Sequence, residues 1–121
     1  SDTVQQRAIL ESLRKANPAF AEHLKRFVFS FEDIIKLDVN TLQMLIRNIN
    51  PGIFAQVLKS MPEEFQRIVF KLLPPGLTER IEEEMKLGKP LTPKRIEEEK
   101  RVIIQLVKNF EQQGLIDLSK L

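Results

Sequence analysis

A chain of 121 residues, 42% hydrophobic and 30% charged, is the size of one domain and can bury about two-thirds of its unfolded surface. The absence of cysteine excludes a disulfide framework, a thiolate metal site and a cysteine nucleophile, and a single histidine, His23, excludes a multi-histidine site. Nineteen Lys+Arg against seventeen Asp+Glu leave a net charge of +2. The densest charged stretches, 79–86 and 94–101, mix both signs, so the one-sided basic face that nucleic acid requires is not expected. No apolar run approaches the roughly 18 residues that cross a bilayer, and residues 1–6 carry no signal-peptide pattern. A soluble cytoplasmic domain is expected.

Punctuation residues cut the chain into helix-sized pieces. Asn17-Pro18, Asn50-Pro51, Met61-Pro62, Leu73-Pro74-Pro75 and Thr92-Pro93 place proline where a helix's first turn tolerates it. The first helix is predicted over 4–16, with Ala8, Leu10 and Leu13 as its buried stripe. A second begins at Pro18 behind an Asn17 cap and runs to Arg26. Residues 27–31 read as a packed, extended aromatic connector, followed by a short helix over 32–37. Asp38 or Asn40 then caps a helix carrying Leu42, Leu45, Ile46 and Ile49. Ile53, Phe54, Val57 and Leu58 mark the next helix, and Phe65, Ile68, Val69 and Leu72 the one after. Leu77, Ile81 and Met85 form a period-four stripe ending before Gly88, and Ile96, Ile103, Val107 and Phe110 face inward from a last helix over 93–113. Gly88 and Gly114 are expected to form left-handed C-terminal caps. Prolines at 51, 62 and 74 stand 11 and 12 residues apart, which makes short helices that must stack on one another. An all-α fold follows.

The inventory offers catalysis little. A triad needs a nucleophile beside a histidine and an acid, whereas His23 sits among Phe20, Leu24 and Phe27. The four glycines are isolated, so no phosphate-cradling loop is formed. Glu82-Glu83-Glu84 and Glu97-Glu98-Glu99 fan out at about 100° per residue on a helix and converge on no ion. Their basic neighbours predict pairs such as Glu82 with Lys86 and Glu97 with Arg101, with Glu79 beside Arg80. No enzyme, cofactor, metal or small-molecule substrate is expected. Two features suit a protein partner. One is the aromatic run 27–31, read as a buried connector or a partner groove. The other is the helix over 76–87, whose Arg80, Glu83, Glu84 and Lys86 cannot all face inward, with Lys59 on a neighbouring helix. A surface of both signs orients a complementary partner and speeds its association.

Gln6-Arg7-Ala8-Ile9-Leu10-Glu11-Ser12-Leu13, Asn17-Pro18, Ala21-Glu22 and the run from Phe29 to Asp38 resemble the C-terminal region of the bacterial flagellar motor switch family FliG. In that family a Met-Phe-Val-Phe hinge precedes an acidic pair and an aliphatic residue; Val28-Phe29-Ser30-Phe31 before Glu32-Asp33-Ile34 keeps both phenylalanines. The resemblance continues through Val57-Leu58-Lys59, Glu83-Glu84, Lys89-Pro90-Leu91 and residues 103–114, and so covers nearly the whole chain. It implies the end of an armadillo-like helical subdomain over 1–27, an aromatic hinge over 28–31 (Val28, Phe29, Ser30, Phe31), and a six-helix subdomain over 32–121 bearing a charged ridge.

The role so implied is that of a rotor and switch component at the flagellar basal body, on the cytoplasmic face of the inner membrane. Its partners would be the cytoplasmic loop of the stator subunit MotA, other FliG subunits and the switch protein FliM. Carried across, the ridge falls on Lys59, Glu83 and Glu84, while positions that carry arginine in the family hold Gly76 and Thr92. Arg80, Lys86 and Lys89 are the candidates to replace that positive charge. The resemblance also implies that the chain is the C-terminal region of a longer protein. The alternatives are a helical adaptor that assembles rotor rings without force transfer, a divergent paralogue, and, more remotely, the FliG-like domain of a magnesium transporter.

Overall fold

Prolines and short polar side chains set where the helices begin. The computed structural model describes residues 3–20 and 28–121. In chain order come α1 (Thr3–Ala16), a 3-10 turn (Phe31–Lys36), α2 (Val39–Arg47), α3 (Pro51–Lys59), α4 (Glu63–Leu72), α5 (Pro75–Leu87), α6 (Pro93–Gln112) and a closing 3-10 turn (Leu118–Lys120). No strand occurs among the described residues, and the fold is all-α. Pro51, Pro75 and Pro93 lie in the first turns of their helices, where an absent N–H leaves no bond unmade. At α2, α3 and α6 side-chain oxygens satisfy some of the remaining orphan donors, while α4 and α5 have proline at the cap position and no such bond. Asp38 accepts Thr41 N–H at 3.0 Å, Asn50 accepts Gly52 and Ile53 N–H at 2.9 and 3.1 Å, and Thr92 accepts Arg95 N–H at 3.1 Å. Residues 18–20 are helical behind Asn17, which accepts Phe20 N–H at 3.1 Å. The predicted continuation to Arg26, with His23 and Phe27, lies outside the described residues.

Helix α3 is the centre. Phe54, Ala55, Gln56, Val57 and Leu58 are buried in succession, the mark of a helix covered on all sides. Its most extensive partner is α5, and α2 and α6 also pack on it. Leu42, Leu45, Val69, Ile81, Ile103 and Val107 fill the same core, joined by Phe29, Phe31, Ile34 and Leu37 from the connector. Leu77 and Met85 are partly buried against it, so the predicted stripe of α5 does face inward.

Three expectations need correction, and one buried residue lay outside those expected. Ala8 is exposed, and among the described residues of α1 Leu10 is the buried one. Gly88 is extended, at φ −77° and ψ 159°, and Gly114 (φ 76°) is the left-handed residue among those described. The turn after the connector begins at Phe31 and is 3-10, since Ser30 and Asp33 close a tight i,i+3 cap on it. Ile104 is buried beside Ile103 on α6, because that helix packs both on α3 and on the 3-10 turn.

Glutamine amides fasten the helix ends. The last carbonyls of a helix have no internal partner. Gln43 donates to Leu72 O (3.3 Å), Gln66 to Lys59 O (3.4 Å), and Gln56 to Glu84 O (3.0 Å). The Gln56 bond ties α3 to the last turn of α5 from a side chain only 5% exposed.

Candidate functional site

Residues 52, 56 and 59 of α3 follow i, i+4, i+7 spacing and so share one face of that helix. That face lies along the end of α5. Gly52 leaves room for the Glu84 carboxylate: a Cβ there would stand 3.3 Å from Glu84 Oε2. Gln56 holds the Glu84 carbonyl, and the Lys59 ammonium donates to Met85 O at 3.1 Å. A cation at a helix C-terminus is favoured by the helix dipole. The fold therefore brings Lys59 to the Met85 carbonyl at the end of α5, 26 residues away in sequence and on the same helix as Glu83 and Glu84.

With Ile81 fully buried, Arg80, Glu82, Glu83 and Lys86 face solvent and Glu84 is half-buried. None of these charges, nor Lys59, has an opposite charge within 4.0 Å among the described residues. Local pairs form elsewhere, Glu11 with Arg14, Asp33 with Lys36, Glu64 with Arg67, Arg95 with Glu99 and Glu97 with Lys100, while exposed charges such as Glu63, Lys71 and Arg101 also lack an ion partner among the described residues. The predicted Glu82–Lys86 and Glu79–Arg80 contacts are not made, since an exposed pair gains only a few tenths of a kcal/mol over hydration. Glu97 meets Lys100 at 3.5 Å instead of Arg101. Lys100 is held there because its ammonium lies 5.7 Å over the Phe31 ring. Gly76 opens onto free space, and Thr92 serves as the cap of α6.

The connector is packed and tied down. Phe29, Ser30 and Phe31 are buried and Val28 is half-buried. The Phe31 ring stands 5.8 Å from that of Phe65, tilted by 42°. Ser30 Oγ accepts from Arg7 of α1 at 3.1 Å and donates to Asp33 at 3.0 Å, while Ser30 N–H donates to Asp33 at 2.8 Å. Lys36 completes the cluster at 2.9 Å from Asp33, and Arg7 also lies 3.8 Å from Glu32. Thus α1 meets the connector through Arg7.

Burial raises the Asp33 carboxyl, but bonds from the Ser30 N–H, the Lys36 ammonium and the Ser30 hydroxyl outweigh it and hold the pKa below its ordinary 3.8. A depressed folded pKa gives stability that is complete above the unfolded value and lost as pH falls through the folded one. Acid unfolding monitored by circular dichroism should therefore steepen below about pH 4. Asp33→Asn should flatten that limb and cost about 1–2 kcal/mol at pH 7, through the weakened cap.

Sequence reasoning missed Gln56, Gly52 and the true task of Gly88. A Cβ at Gly88 would lie 2.6 Å from Gln56 Nε2 and 2.7 Å from Glu84 O. The only sequence signal was the shared spacing of 52, 56 and 59. Among the described residues, no group of three or more His, Asp or Glu side chains is placed to hold a metal ion. No helix among them is long and apolar enough to cross a membrane.

Residues 11–118 match the family model of the FliG C-terminal domain. The chain is 32% identical to the flagellar motor switch protein FliG of Borreliella burgdorferi over 99% of its length, and 33% identical to that of Bacillus subtilis over 98%. It covers 35% of each of these relatives, so it spans about a third of their length. Among solved structures, residues 116–343 of FliG from H. pylori superpose with a TM-score of 0.67 at 20% identity, covering 98% of this chain and 52% of that one. Full-length FliG from Aquifex aeolicus gives 0.63 at 20% identity, covering 97% and 36%. These two likenesses establish the fold, and the match over residues 11–118 establishes the kinship: the chain belongs to the FliG C-terminal domain family.

Proposed function

We propose that this chain is part of a flagellar rotor and switch component, and that the α5 surface with Lys59 meets a charged loop of the stator. The observation that carries this reading is the set of charges at Lys59, Arg80, Glu83, Glu84 and Lys86, exposed save for the half-buried Glu84 and without ion partners among the described residues. Free charges of both signs orient an approaching partner and raise its association rate, with modest affinity. That suits a contact made and broken repeatedly.

The rigid element behind the ridge is α3, locked to α5 by Gln56 and Lys59. A push on α5 would pass into the core and not into bending of a loose helix. Val28, Phe29, Ser30 and Phe31 serve as the hinge, with residues 1–27 on one side and 32–121 on the other. The partners in this reading are MotA for the ridge, and other FliG subunits and FliM for the helical region before the hinge. The location is the flagellar basal body, at the cytoplasmic face of the inner membrane.

One observation favours a second reading, a ring-assembling adaptor without force transfer. Val4 and Ile9 on α1 are 75% and 58% exposed, while Gly76 and Thr92 bring no charge to the ridge. The paired variant Glu83→Lys with Glu84→Lys separates the two. For a torque surface, cells carry complete filaments yet do not swim. Cells that swim as the parent does would favour the adaptor, whose contacts lie on α1.

A further inference from the structure

We propose that the cavity between the α2–α3 junction and α5 receives one apolar side chain of an acidic partner segment, with Arg47 and Arg80 holding the carboxylates that flank it. The proposal deepens the ridge reading, and rests on it for the identity of the partner. The cavity measures 210 Å³, above the roughly 150 Å³ at which an apolar cavity takes up benzene. Its walls are Ile46, Ile49, Pro51, Leu77 and Ile81. It exists because α2 ends at Arg47 and the chain turns through residues 48–50 before α3, which leaves Leu77 only partly covered at the start of α5.

Charge chooses the occupant. Arg47 and Arg80 both line the cavity and both are exposed. Neither has a carboxylate within 4.0 Å among the described residues, whereas Arg7, Arg14, Arg67 and Arg95 each have one. An arginine offers five N–H donors in a fork matched to a carboxylate. The N-terminus of α3 contributes little, because Asn50 already takes the N–H groups of Gly52 and Ile53. An apolar socket between two free guanidinium groups thus fits an aliphatic residue with acidic neighbours, and repels a basic segment.

The test is methyl NMR of the whole chain titrated with a capped pentapeptide holding one leucine between two aspartates. Two further peptides replace the aspartates by lysines, or the leucine by alanine. The methyl signals of Ile46, Ile49, Leu77 and Ile81 should move with the first peptide and not with the lysine form. The alanine form should bind at least about fivefold more weakly. Arg47→Glu, a surface change away from the ridge, should weaken the first peptide by about tenfold or more, and added salt should weaken it too. Arg67→Glu should change nothing. The Glu83→Lys and Glu84→Lys variant should bind the peptide at least as well as the parent. Swimming cells with that variant would overturn the ridge while leaving the socket standing. Still methyl signals at millimolar peptide, equal binding of the lysine form, or movement with protein concentration alone would overturn the socket.

Discussion

Gly88→Ala is expected to lower the unfolding free energy by about 3 kcal/mol. Glycine is required there for space and not for a left-handed backbone, since its φ is −77°. The added Cβ would meet Gln56 Nε2 at 2.6 Å and Glu84 O at 2.7 Å. The carbonyl is fixed by the Gly88 N–H at 2.8 Å and by the Gln56 amide at 3.0 Å, so neither neighbour yields without breaking a bond. Overpacking costs about 1–3 kcal/mol, and a buried amide left without its acceptor about 1–3 kcal/mol more. The melting temperature should fall by roughly 10–15 °C. Gln56→Ala in the same chain removes the side chain in the way and should recover part of the loss, a coupling that a double-mutant cycle reads directly. A Gly88→Ala protein as stable as its parent would show that α3 and α5 are not clasped at this point.

Phe31→Ala is the second large effect, at about 4 kcal/mol. The side chain is 2% exposed, and truncating a buried phenylalanine costs about 3–5 kcal/mol. It would also lose the ring contact with Phe65 and the Lys100 ammonium above it, each of about 0.5–1.5 kcal/mol in comparable settings. Urea unfolding is the measurement, with a shifted midpoint and an unchanged slope. Val102→Ala, on α6 at 61% exposure, should stay within about 0.5 kcal/mol of the parent. A loss below about 1 kcal/mol at Phe31 would mean that the connector is not packed into the core in solution. The same burial bears on the proposed hinge, since a segment so tightly held turns only by carrying its neighbours or exchanging them.

Boundaries were the legible part of this sequence. Proline at 51, 75 and 93 and the caps at Asp38, Asn50 and Thr92 act locally, within one turn, so their residue types alone locate the helix starts. The inward stripe around Ile81 was legible for a similar reason, as period-four spacing needs no knowledge of the partner helix. Contacts between elements were not legible. The amide of Gln56 acts across 28 residues, and nothing near position 56 announces a carbonyl waiting there. Gly88 shows how one residue type serves two ends: at the end of a helix it suggested a backbone angle, and the packing uses its missing Cβ. Ala8 failed because Leu10 is the residue its helix buries, and Ile104 lay outside the expected set because α6 meets two elements at once. The charges were half legible. Their exposure followed from the burial of Ile81, but which would find partners depended on side chains such as Lys100, anchored over Phe31.

The central proposal is that another polypeptide grips the free charges of α5. Stall torque of single motors built from the Glu83→Lys, Glu84→Lys protein measures this most directly, with circular dichroism and rotor incorporation as controls. Torque should fall by about tenfold or more with helicity unchanged, reversal of two charges at a contact costing several kcal/mol. The matching reversal of the paired Glu64 and Arg67 on α4 should leave it intact. Full torque from a correctly folded, incorporated Glu83→Lys, Glu84→Lys rotor would contradict the account.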